Sequence, residues 1–235
     1  MLPRIAFART RRRHQGGLGL RLGVVVLAVT TVALLFVALA QLVTAGDAIT
    51  AFDREVAAWL HVHASPALKR AMRAVSAAHA PRAILAMTAL VALALLWRRD
   101  MLALATVLIT VLGGATLNHV LKHSVQRARP IFDNVLAGAT DFSFPSGHVA
   151  NATLLYGVAT ALIVCHLRTW PARLAVALCA ALLVASVGFS RIVLGAHYLS
   201  DVLAGVVVGL TWLALCLIAM NPCRRAKRAG SREAG

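Results

Sequence analysis

Ser190-Arg-Ile-Val-Leu-Gly-Ala-His-Tyr-Leu-Ser-Asp201 sets Arg191, His197 and Asp201 between two apolar runs, each able to span a bilayer. Ionisable groups at that depth are costly unless paired or facing water, so such a cluster is a candidate functional site. Asp201 follows His197 by four residues, a spacing that on a helix puts both side chains on one face. A carboxylate bonded to one ring nitrogen fixes the tautomer and leaves the other nitrogen as base or nucleophile. A His and an Asp that merely satisfy each other at a helix start would look the same here. The stretch therefore decides the frame, helices in a membrane, and leaves the chemistry to the rest of the chain.

Composition agrees with that frame. Sixty per cent of the 235 residues are apolar and the mean hydropathy is +0.80, which makes the chain an all-α polytopic membrane protein. Lys plus Arg number 24 against 8 Asp plus Glu, but basic residues that flank apolar spans are explained by topology, and nucleic-acid binding is not expected. Cys165, Cys179, Cys216 and Cys223 lie in apolar runs or beside a basic end without metal-type spacing, so neither a disulfide nor a zinc site is expected.

Residues 1–21 hold six arginines and no acid, and read as a cytoplasmic N-terminal segment before a retained first span at 22–43. Residues 45–82 interleave Asp53, Glu55, Lys69, Arg70 and Arg73 with apolar positions at helical spacing, which predicts short amphipathic helices on the outer surface. The second span, 83–97, is short of the roughly 20 residues needed to cross and is completed by 77–82. Further spans are predicted at 101–121, 149–167, 174–189 and 199–220, before a basic tail at 221–235. The membrane unit is thus 22–220, with six spans and none of them visibly broken. Six spans put both termini and both short basic turns, at 98–100 and 168–173, in the cytoplasm. Lys122, Arg127, Arg129 and Arg191 remain at the outer ends of spans, where topology gives no reason for them.

Lys122-His-Ser-Val-Gln-Arg-Ala-Arg-Pro130 offers cations of the kind that hold phosphate oxygens, with Pro130 expected to stop the helix after Arg129. Pro145-Ser-Gly-His148 opens the fourth span, with Ser146 as N-cap and Gly147 letting backbone N–H groups approach an anion. His61, His63, His79, His119 and His123 read as interfacial residues rather than metal ligands.

Taken in order, Lys-x6-Arg-Pro, Pro-Ser-Gly-His and Ser-Arg-x5-His-x3-Asp over 122–201 closely resemble the type 2 phosphatidic acid phosphatase (PAP2) family, whose phosphate pocket is shared with vanadium-dependent haloperoxidases. The resemblance implies that His197 is the nucleophile forming a phosphohistidine, that Asp201 orients it and that His148 protonates the leaving oxygen. It implies that Lys122, Arg129, Ser146, Gly147 and Arg191 hold the phosphoryl oxygens, with no metal and no cofactor. The partners expected are a lipid phosphate and the bilayer. Polyprenyl diphosphate, phosphatidate and phosphatidylglycerophosphate are the substrates the family handles. A lipid phosphotransferase would use the same pocket, and a non-catalytic lipid-binding or transport protein is the alternative from another class. Arg127 is expected to add field or a headgroup contact, and oligomeric state is not legible.

Overall fold

The computed structural model describes residues 36–45, 48–130 and 142–220, with single positions between 23 and 34. Most of the first expected span and both basic ends lie outside these residues. The described chain is helical, without strands: α1 (Phe36–Thr44), α2 (Ala48–His63), α3 (Pro66–Ala78), α4 (Pro81–Trp97), α5 (Met101–Leu108), a π-helical turn (Ile109–Gly113), α6 (Gly114–Val125), α7 (Gly147–Val164), α8 (Trp170–Val193) and α9 (Leu199–Met220).

Four stretches are long and apolar enough to cross a membrane: Met101–Val125, Gly147–Val164, Trp170–Val193 and Leu199–Met220. Two bent pairs bring the number to six if each counts as one span: Phe36–Thr44 with Ile49–His63 at 77°, and Pro66–Ala78 with Pro81–Trp97 at 48°. The expected second span, 77–97, is thus interrupted between Ala78 and Pro81, which corrects the expectation of unbroken spans. Pro66 and Pro81 each stand in the first turn of their helix, where a missing N–H costs nothing.

α7 is the central helix. Val149, Ala150, Ala152, Leu154 and Val158 are fully buried on it, against α8, α9 and the Met101–Val125 span. The close approach of α9 depends on glycine: a Cβ at Gly205 would lie 2.7 Å from the Ser146 carbonyl oxygen. The Gly113-Gly114 pair works likewise, since a Cβ on Gly114 would meet Leu154 at 2.4 Å. The π turn beside it releases the Ile109 carbonyl, which accepts from Trp212 Nε1 at 3.2 Å. Leu174, Leu178 and Leu182 on α8 are exposed, as side chains facing lipid would be. Cys165, which caps α7, is disulfide-bonded, whereas Cys179 and Cys216 are free. This corrects the expectation of no disulfide, because apolar surroundings and spacing in sequence do not tell which cysteines the fold brings within bonding distance.

Candidate active site

Lys122 lies on the last turn of α6, 6% exposed and facing inward. The helix stops at Val125, earlier than Pro130, because Gln126 takes a left-handed conformation with φ 54°. The residues after it leave the helix, so Arg127 and Arg129, two apart, point the same way. Ser143 fastens this segment: its N–H donates to Arg127 O at 2.8 Å and its hydroxyl to Ala128 O at 3.0 Å.

The Phe144–Pro145 bond is cis, and Ser146 N–H then donates to Asp201 O at 3.0 Å, docking the start of α7 on the first turn of α9. Ser146 occupies the N-cap position as expected, but its hydroxyl makes no capping bond and is buried without a partner. Arg191 Nε is also buried without one, while Arg191 Nη1 donates to Ser76 Oγ. Two orphaned polar atoms on residues expected to hold phosphate suit an anion site at a helix N-terminus.

α8 ends in a Schellman arrangement. Gly195 sits at φ 64°, its N–H donates to Ile192 O at 2.9 Å, and Ala196 N–H donates to Arg191 O at 2.9 Å. The chain folds back over Arg191, which is why five residues separate it from His197. His197 lies in the turn before α9 rather than on a helix, so its pairing with Asp201 comes from the turn. Asp201 sits in the first turn of α9 and accepts from Tyr198 N–H at 2.9 Å, the acid half of a capping box. His197 Nδ1 is 3.5 Å from Asp201 Oδ2, a charge-pairing distance beyond a formed hydrogen bond. On the other side of the ring, Arg129 Nη1 lies 3.3 Å from Nε2 and donates to Ala196 O at 2.9 Å. Burial pushes the His197 imidazole down to about 4. Asp201 opposes that shift, and the Arg191 and Arg129 charges add to it.

His148, on the first turn of α7, is half-buried and within electrostatic reach of Arg191, His197, Arg129 and Lys122. The eight expected site residues thus gather around one point between the ends of α6 and α8 and the starts of α7 and α9. Arg127, expected to add field or a headgroup contact, is turned inward against Asp201. It is 8% exposed, donates to Asp201 Oδ1 at 2.6 Å, Asp53 Oδ2 at 2.9 Å and Ser200 Oγ at 2.8 Å, and lies 4.3 Å from the Tyr198 ring centroid. Asp53 in turn accepts from Ser200 N–H at 3.0 Å and from the Ser200 hydroxyl. Sequence reading missed Asp53. Its one signal was an acid, one of two with Glu55, among the apolar residues of α2.

The other histidines are tied to backbone or neighbours: His63 Nδ1 to Trp59 O at 2.8 Å, His79 to Val75 O at 2.8 Å and Tyr156 Oη at 2.6 Å, and His123 to His119 O at 2.9 Å. Among the described residues, no three His, Cys, Asp or Glu side chains are grouped to hold a metal ion.

Over 95 residues the chain is 41% identical to phosphatidylglycerophosphatase B of Bacillus subtilis (strain 168), a match that takes in 40% of this chain and 46% of that protein. The chain therefore spans about half the length of that relative. The crystal structure of a transmembrane PAP2 type phosphatidylglycerolphosphate phosphatase from Bacillus subtilis has a TM-score of 0.72 and 28% identity, over 80% of this chain and 93% of that one. Aquifex aeolicus LpxE, at 20% identity, has the same fold with a TM-score of 0.53, over 69% of this chain and 93% of its own. The sequence model of the PAP2 superfamily matches residues 101–225, more than half of the chain and all of the clustered motifs, and the chain belongs to that superfamily.

Proposed function

We propose that the protein is an integral membrane phosphatase that hydrolyses a phosphomonoester or diphosphate of a lipid at the outer membrane face, through a phosphohistidine on His197. The observation that carries this reading is the buried His197, with a carboxylate at Nδ1 and a guanidinium at Nε2. Neutral Nε2 attacks phosphorus while Asp201 stabilises the imidazolium that develops. Charge on the three equatorial oxygens is met by Lys122, Arg129 and Arg191, aided by the Ser146 hydroxyl and the Gly147 amide at the start of α7. His148 gives its proton to the leaving oxygen, then takes one from the water that attacks the phosphohistidine, releasing phosphate and restoring His197.

Three cations supply what a divalent metal otherwise would, so the reaction is metal-independent. Both basic turns, Arg98-Arg99 and Arg168–Arg173, lie at the other ends of the spans that carry the site, which supports cytoplasmic turns and an outer site within a membrane unit at 22–220. Polyprenyl diphosphate, phosphatidate and phosphatidylglycerophosphate are the substrates to compare. Purified protein in detergent is expected to release phosphate from lipid phosphates, to keep its activity in excess chelator and to lose it with vanadate. Activity that chelator abolishes and one divalent ion restores would overturn the metal-independent reading.

A further inference from the structure

A cavity of about 260 Å³ adjoins the cluster, lined by Arg73, Ser76, Ala77, Ala80, His148, Arg191, Leu194 and Ala196. It takes in His148, the proposed acid, but His197 is not in its wall. Attacking and leaving atoms stand roughly in line across phosphorus, so the leaving group lies on the side away from His197, where its acid must be. Among the described residues, the wall of that space contains two guanidinium groups and no carboxylate. Arg191 belongs to the phosphoryl site. Arg73 does not, and nothing in the PAP2-type motifs accounts for it.

Arg73 is exposed on α3 and makes no hydrogen bond or ion pair with any described residue. Its position is nonetheless defined. Ser76, three residues on and so on the same face, accepts the bond from Arg191 that ties α3 to the end of α8. An uncharged leaving group such as diacylglycerol has no use for a cation here. A leaving group that carries its own phosphate does.

We propose that Arg73 forms a second anion subsite, so that the protein prefers lipid phosphates whose leaving group itself bears a phosphate: a diphosphate, or a phosphomonoester linked through a phosphodiester. This rests on the phosphatase reading above and deepens it. The test compares wild type, Arg73→Gln and Arg73→Lys, as full-length protein in detergent, on phosphatidylglycerophosphate, geranylgeranyl diphosphate and phosphatidate.

Arg73→Gln is expected to lower kcat/KM about tenfold on the first two substrates and less than about twofold on phosphatidate, with Arg73→Lys recovering part of the loss. Equal loss on all three substrates, or no loss on any, would overturn the subsite and leave the phosphatase reading standing. A folded wild type that releases phosphate from none of them would overturn the phosphatase reading, and the subsite with it.

Discussion

His197 is neutral where an ordinary histidine would be half protonated at pH 6.5, because burial and two guanidinium groups outweigh the carboxylate beside it. A lowered value means that the nucleophilic form persists as pH falls and is lost only on passing through about 4. The acid limb of kcat/KM, corrected for ionisation of the substrate, is therefore expected near pH 4. A limb that remains near 6.5 after correction would contradict this account of the imidazole. At this scale the sequence told that Lys122, Arg129, His148, Arg191, His197 and Asp201 gather, because the spacings in the motifs reflect fixed local geometry. The five residues between Arg191 and His197 are a helix end and its left-handed glycine. For Arg127 the sequence left field and headgroup contact both open, because nothing in its neighbourhood tells which way Gln126 turns the chain. The turn sends Arg127 inward to two carboxylates rather than outward to a headgroup.

Between elements, the Asp53–Arg127–Asp201 chain joins α2, the segment after α6 and the first turn of α9 in one buried network. Arg127 between two carboxylates leaves one net negative charge near His197, which favours the imidazolium formed in the reaction. Without Asp53, Arg127 keeps Asp201 as counter-ion, but its buried Nη2 and the Ser200 N–H lose their acceptor. Asp53→Ala is expected to destabilise the protein by about 3–5 kcal/mol, read as a lowered unfolding midpoint in detergent, with Asp53→Asn milder because it still accepts from Ser200 N–H. An unchanged midpoint for Asp53→Ala would show that the network is not structural. The hydrophobic runs located α7, α8 and α9 to within a few residues, since lipid-facing length is written in composition. The bend between α3 and α4, the π turn and the partner of Asp53 were not legible. The last is set by a contact 147 residues away in the chain.

On the scale of the whole molecule, the apolar helices act as a scaffold that brings three distant sequence segments to one end of the bundle. α7 sits at the centre because small residues on its neighbours let their backbones come close, and the Ser146 to Asp201 bond fixes its start against the nucleophile's turn. The cations that gather there are those that membrane topology does not explain, and the proposed phosphoryl transfer through His197 would give them a role. Turnover of a lipid substrate carrying a radiolabelled terminal phosphate, quenched in alkaline detergent, tests that claim most directly. Wild type is expected to retain acid-labile, base-stable label on histidine, and His197→Ala, eluting as folded protein in the same detergent, is expected to retain none. A phosphoenzyme that persists in His197→Ala would contradict the account.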